Sequence, residues 1–218
     1  MNIGIIGAGN LGSGLAKRLA ARGHAVMLSF SKEAEKLRRT AGSMGAAAGT
    51  PAEAVDFADV AVLASPWTAA PEALRQVGTV AKTKVLWDCT NALKPDMSGL
   101  AVGTTTSGAE EIARLAPWAN VVKAIPPFAE VLHSTNQLIG GLRSGVFVCG
   151  DNPEAREVVA RLVEDIGAAP VIAGPLLLAR YTEPAAMLLV QLAYMQGFGA
   201  RICLTLAHET MASASPAA

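Results

Sequence analysis

Charge and aromatic side chains are scarce in this chain of 218 residues. Charged residues make up 17% and aromatics 5%, while 51% are hydrophobic. Eighteen basic residues balance eighteen acidic ones. No basic patch or aromatic–basic interleaving points to nucleic acid or to an anionic membrane surface. Cysteine is limited to Cys89, Cys149 and Cys203, odd in number, far apart and without metal-site spacing, so reduced thiols are expected. The three histidines form no cluster: His24 stands beside Gly23, His133 lies in a Pro- and Gly-containing stretch, and His208 is near the end. No Ser/His/Asp arrangement, P-loop or metal-ligand set is visible, and no internal repeat. The chain opens directly on a strand-like run, so no signal peptide is expected and a cytoplasmic location is. Residues 184–207 are apolar, but Gln191, Gln196 and Arg201 interrupt them. That pattern favours a buried or interface helix over a membrane span.

Carboxylates are also missing from the first 32 residues, where Lys17, Arg18, Arg22 and Lys32 stand against none. That region holds the most informative motif. Asn2-Ile3-Gly4-Ile5-Ile6 suits a buried parallel strand. Gly7-Ala8-Gly9-Asn10-Leu11-Gly12 follows, and Leu11, Leu15 and Leu19 then give a helical stripe. Strand, G-x-G-x-x-G and helix in that order form the dinucleotide-binding fingerprint. Gly7 permits the tight turn, Gly9 lets backbone approach a pyrophosphate, and Gly12 lets helix and strand pack closely. The free N–H groups at the helix start would hold the phosphates.

The second strand, Ala25-Val26-Met27-Leu28, bears on which nucleotide is bound. NAD enzymes place Asp or Glu about 20 residues beyond the motif, to hold the ribose 2′-hydroxyl. Here that place is taken by Ser29-Phe30-Ser31-Lys32, and the first acidic residue of the chain is Glu33. Hydroxyls and a cation suit a 2′-phosphate, so NADP is expected, with Ser29, Ser31 and Lys32 as its contacts. Ser31 is at the same time a plausible N-cap for a helix opening on Glu33-Ala34-Glu35.

Further along, strands and helices alternate. Helices are expected over about 32–44, from Pro51 behind a Thr50–Glu53 capping box, over 68–77, 108–116 and 153–166, and as a long final helix. Strands are expected at Asp59–Ala64, Lys84–Asp88, 120–124, 146–149 and 170–173. The class is α/β, a doubly wound parallel sheet with a small C-terminal extension ending in a long apolar helix. Residues 1–124 form the dinucleotide-binding core. Residues 125–207 complete the sheet, the acceptor pocket and the dimer helix, and a tail over 208–218 is expected to be disordered. Residues 90–106 and 125–145 are long connections of the kind that carry function.

Ligands of open α/β sheets sit outside the carboxyl ends of the strands. That places Ser65-Pro66-Trp67, Cys89-Thr90-Asn91 and Ala124-Ile125-Pro126-Pro127 beside the cofactor, each equally able to be a simple strand end or turn. Asp88 is expected to pair with a backbone amide or a basic side chain. Hydride transfer itself needs no protein nucleophile, because the cofactor carries the chemistry.

These stretches, together with Val148-Cys149-Gly150-Asp151 and Ala173-Gly174-Pro175-Leu176, resemble the deazaflavin-dependent NADP oxidoreductases. Members of that family pass hydride between NADPH and coenzyme F420. The resemblance runs from Met1 to about Leu206. It implies that Ser29, Ser31 and Lys32 meet the 2′-phosphate, that Ser65 and Pro66 line the cofactor, and that the C-terminal helix helps form a homodimer. Two departures stand out. Ile125-Pro126-Pro127 replaces the polar residues common after the sixth strand, and Phe30 takes a usually polar place. The expected cofactor-contacting set is Gly7 to Gly12, Ser29 to Lys32, Ser65 to Trp67, Asn91, Ala124 and Pro126. The expected activity is NADPH-dependent hydride transfer to a deazaflavin or to FMN or FAD. A non-catalytic NADP(H)-sensing module and a small imine or keto-acid reductase are the alternatives.

Overall fold

The computed structural model describes residues 1–80 and 83–209. Its centre is one sheet of eight strands in the order β3-β2-β1-β4-β5-β6-β7-β8. The strands are β1 Asn2–Ile6, β2 Ala25–Ser29, β3 Ala47–Ala48, β4 Val60–Leu63, β5 Lys84–Asp88, β6 Ala119–Lys123, β7 Gly145–Gly150 and β8 Ala169–Gly174. The first six run parallel. Helices α1 (Asn10–Ala21), α2 (Ala34–Gly42), α3 (Pro51–Phe57), α4 (Ala70–Arg75) and α5 (Gly108–Leu115) connect them, and α6 (Ala129–His133), α7 (Pro153–Asp165) and α8 (Ala179–Val190) follow.

Two apolar clusters cover the two faces of the sheet. Ile3, Ile5, Leu15, Leu19 and Trp87 belong to one, and Ile6, Leu63, Leu86, Ile112 and Leu176 to the other. Alternate residues of β1 thus point to opposite faces, both covered, which is why that strand reads as an unbroken apolar run. The Thr50–Glu53 capping box forms as expected, with the Thr50 hydroxyl accepting from Glu53 N–H at 3.2 Å. The Ser31 N-cap does not. Helix α2 starts at Ala34 behind an extended Glu33, and the Ser31 hydroxyl accepts from the Glu33 N–H at 3.3 Å, two residues too early to cap.

The sheet is not uniformly parallel. Strand β7 runs antiparallel to β6 and overlaps it at only two pairs, Val122↔Gly150 and Lys123↔Cys149. Its first four residues therefore project past the carboxyl ends of the parallel strands, where ligands bind in this class of sheet.

The long apolar terminal helix is absent. Helix α8 has twelve residues and widens into a π turn over Gln191–Met195. Gly197 and Gly199, at φ 76° and 74°, then carry the chain out of helical geometry. The following segment returns across the start of β7, where Gly145 N–H donates to Leu204 O at 2.7 Å. The long connection after β6 also holds more structure than expected, since it contains α6. The tail expected over 208–218 lies outside the described residues from 210 onward.

Candidate active site

The turn between β1 and α1 explains its own glycines. Gly7 has φ 128°, and a Cβ there would lie 2.6 Å from Ala64 O. At Gly12 a Cβ would lie 1.8 Å from Gly7 O, so the first turn of α1 packs directly on the loop. Gly9 differs, because a Cβ there would meet nothing within 4 Å. The protein does not need Gly9 for its own packing. The residue is the extended N-cap of α1 with no side-chain cap, and it leaves the helix N-terminus bare. Such an open cradle of N–H groups fits a pyrophosphate. His133 does not reach the carboxyl ends of the strands as a free group. Its Nε2 lies 3.0 Å from Asn10 O and 3.4 Å from Ser13 Oγ, which ties α6 to α1.

At the end of β2 the expected phosphate contacts separate. Ser29 is fully buried and donates its hydroxyl to Ile5 O at 3.0 Å, so it is a sheet residue and does not present a phosphate ligand. Phe30 turns the chain at φ 58° and packs on the core. Ser31 and Lys32 are exposed in the loop beyond it. Of the expected contacts, these two remain available to a 2′-phosphate.

Along the carboxyl ends of β1, β4, β5 and β6 runs a cavity of about 710 Å³. Gly9, Asn10 and Leu11 line one end, and Ser65, Pro66, Trp67, Cys89, Thr90, Asn91, Ile125, Pro126 and Pro127 its middle. The far end is closed by Ser144, by Gly145 and Phe147 of the projecting β7, by α8, and by Ile202, Cys203 and Leu204. Three segments far apart in sequence thus meet at the switch points of the sheet. Ala124 does not join them. It is fully buried, and its carbonyl accepts from Trp87 Nε1 at 2.7 Å.

The walls are mostly apolar. Four polar atoms on them are buried without a partner: Ser65 Oγ, Asn91 Oδ1, Ser144 Oγ and Thr182 Oγ1. Buried polar groups are normally satisfied, so four orphans around one cavity fit a polar ligand. Among the described residues Lys94, exposed at the rim, is the one charged lining residue. Burial, and then the neighbouring Asp88, push the Cys89 thiol well up, so it is a neutral group and not a nucleophile.

Behind Thr90 and Asn91 lies an ionic cluster of which only Asp88 is legible in the sequence. Lys123 Nζ lies 2.7 Å from Asp88 Oδ2 and 3.2 Å from Glu183 Oε1, and it donates to Thr90 O at 2.7 Å. Burial pulls the Lys123 ammonium down, but the two carboxylates outweigh it and leave the pKa above its ordinary value. Glu183 accepts from Gly108 and Ala109 N–H at 2.8 and 2.9 Å, anchoring α8 on the start of α5. Nothing in the local sequence marks Lys123 or Glu183, since one ends an apolar strand and the other sits in an apolar helix. Among the described residues no group of His, Cys, Asp and Glu could hold a metal ion, and no helix is long and apolar enough to cross a membrane.

The model of the family described as NADP oxidoreductase, coenzyme F420-dependent, matches residues 2–92. Over that span the chain is similar to this family. A solved structure from Arthrobacter sp. FB24, provisionally described as an F420-dependent NADP reductase, superposes with a TM-score of 0.84 at 24% identity, covering 95% of this chain and 100% of the other. A hypothetical protein from Sinorhizobium meliloti gives 0.69 at 28% identity, covering 80% and 85%. An imine reductase from Streptomyces aurantiacus gives 0.66 at 18% identity, but this chain spans 64% of it. The first and third likenesses establish a shared fold. The family match covers the loop with the open Gly9 and the acid-free end of β2, and both are consistent with NADP(H).

Proposed function

We propose that this protein is an NADPH-dependent oxidoreductase that transfers hydride between NADP(H) and a deazaflavin or flavin. The observation that carries the reading is the continuity of the cavity. It starts at the bare α1 N-terminus and ends in a mostly apolar chamber under β7, α8 and residues 202–204. The first end suits a dinucleotide and the second a flat ring. When bound, NADPH supplies the hydride. The α1 N–H groups hold its phosphates, Ser31 and Lys32 face the 2′-phosphate, and Ser65 and Asn91 offer hydrogen bonds to the polar edge of the nicotinamide. Pro126, Pro127, Phe147 and Leu189 exclude water from the space between the two rings.

The acceptor end carries neutral groups. Among the described residues no carboxylate or histidine lines the cavity, so none of them offers a carboxyl or imidazole general acid to an imine nitrogen, and the lining cation, Lys94, stays at the rim. A heterocycle that takes hydride on the ring and its proton from solvent needs neither. Pro126 and Pro127 have no N–H to donate, so this wall contacts the acceptor by apolar packing and allows an ordinary flavin as well. Leu188, Tyr194, Met195 and Phe198 are 56%, 47%, 48% and 69% exposed after α8 turns away from the sheet. A second copy covering them would give a homodimer.

Steady-state oxidation of NADPH with deazaflavin, FMN, FAD, a cyclic imine or no acceptor tests the reading. Turnover with deazaflavin or FMN is expected. Tight NADP binding with no acceptor reduced would leave a nucleotide-sensing module instead.

A further inference from the structure

The Asp88–Lys123–Glu183 cluster is buried to 1% exposure or less, and it pairs two carboxylates with a single ammonium. Both carboxylates are held by donors. Asp88 Oδ1 accepts from Thr90 N–H and Oγ1 at 2.9 and 2.8 Å, and Oδ2 faces Lys123. Glu183 Oε2 accepts from Gly108 N–H, and Oε1 from Ala109 N–H with Lys123 beside it. Three of the four carboxylate oxygens thus accept a hydrogen bond, and the fourth, Asp88 Oδ2, lies 2.7 Å from the Lys123 ammonium. The two N–H groups of α5 offset part of the Glu183 charge, but formally the cluster keeps one negative charge in excess.

That charge is wired to the cavity wall. Thr90 binds the cluster through its carbonyl, its N–H and its hydroxyl. Asn91, a lining residue, donates through Nδ2 to Glu183 O at 3.3 Å, and its Oδ1 is buried without a partner. Thr182, next to Glu183 in the chain, also lines the cavity. Buried ion clusters add little net stability on average, so an uncompensated charge is not explained by folding.

We propose that this cluster biases the bound cofactor toward hydride donation, by favouring the cationic nicotinamide of NADP⁺ over the neutral ring of NADPH. Loss of hydride, one proton with two electrons passing to the acceptor, leaves a positive charge on the ring. A fixed negative charge behind the Thr90–Asn91 wall lowers the energy of that state, and burial protects it from salt. The inference rests on the reading that the nicotinamide lies against this wall.

Calorimetric titration of the protein with NADP⁺ and with NADPH separates the two ideas. Glu183→Gln and Asp88→Asn each make the cluster formally neutral. Each is expected to weaken NADP⁺ relative to NADPH by roughly three- to tenfold, on the Coulomb scale for buried charges. The double variant Asp88→Asn/Lys123→Met restores the excess charge and should return the ratio toward that of the unmodified protein. Thermal denaturation of each variant reports the purely structural contribution, which would lower both affinities together. In the unmodified protein NADP⁺ should bind at least as tightly as NADPH, whatever becomes of the variants. Ratios unmoved by the single substitutions, or an unmodified protein that prefers NADPH, would overturn the proposal. Failure to bind either nucleotide would instead overturn the nucleotide reading beneath it.

Discussion

Gly9 and Gly12 stand three residues apart in one motif, yet alanine should harm them in opposite ways. At Gly12 an added Cβ falls 1.8 Å from Gly7 O and 2.9 Å from Gly7 C. Both neighbours are backbone, so α1 would have to lift off the β1 turn by more than an ångström. Forcing atoms into a packed site costs about 1–3 kcal/mol, and backbone neighbours place this case at the upper end. At Gly9 an added Cβ meets no protein atom within 4 Å, and the backbone, at φ −75° and ψ −171°, is one that alanine adopts freely. Exchanging glycine for alanine at an N-cap should change stability by less than about 1 kcal/mol. What the methyl does fill is the space a pyrophosphate would use. Displacing one charge-assisted hydrogen bond costs about 1.5–3 kcal/mol, or roughly ten- to a hundredfold in affinity. Thermal denaturation and calorimetric titration with NADPH give both quantities. Gly9→Ala should keep its melting temperature and lose nucleotide, whereas Gly12→Ala should lose several degrees. A Gly9→Ala protein that binds NADPH as tightly as the unmodified one would refute the assignment of the α1 N-terminus as the phosphate cradle.

Lys32→Ala should weaken NADPH roughly ten- to a hundredfold and leave NADH nearly unchanged; equal losses for both nucleotides would remove Lys32 from the 2′-phosphate site. Arg180 donates to both oxygens of Glu110 at 2.9 and 2.7 Å, linking α8 to α5. The Arg180 guanidinium, against burial and with help from Ser107, holds the Glu110 carboxyl down to about 2 from an ordinary 4.5. A depressed carboxyl stabilises the fold above its unfolded value and loses that contribution as pH falls through the folded one. Between about pH 4.5 and 2 the protein should therefore lose about 1 kcal/mol that Glu110→Gln does not, after discounting for solvent screening. Equal acid sensitivity in both would discard that contribution. Thr50→Ala removes a formed capping box and should lower stability by about 1 kcal/mol with no effect on NADPH affinity.

Local rules account for what could be read in advance. The β1–loop–α1 unit, the acid-free end of β2, the Thr50 cap and the strand ends at Ser65 and Asn91 all follow from neighbouring residues. The misreadings share a different cause. Ser29 has the chemistry of a phosphate ligand, but as the last residue of β2 its hydroxyl turns inward to Ile5 O. Ala124 sits at the right strand end and yet lies under the wall, bonded to Trp87. The apolar stretch over residues 184–207 reads as one long helix, whereas its residues divide between cavity, core and surface, and two positive-φ glycines end it. The reversal of β7, which roofs the cavity, depends on pairing between residues distant in sequence, Val122↔Gly150 and Lys123↔Cys149. Lys123 and Glu183, 60 positions apart, gain meaning only when β6 and α8 meet.

Direct transfer of hydride from bound NADPH to a ring in the chamber under β7 is the central claim. A single turnover with NADPH deuterated at C4, followed by mass spectrometry of a deazaflavin acceptor, tests it. Slower transfer and deuterium at C5 of the deazaflavin are the predicted result. A reduced acceptor carrying only solvent hydrogen at C5, or no reduction at all with NADPH bound, would contradict it.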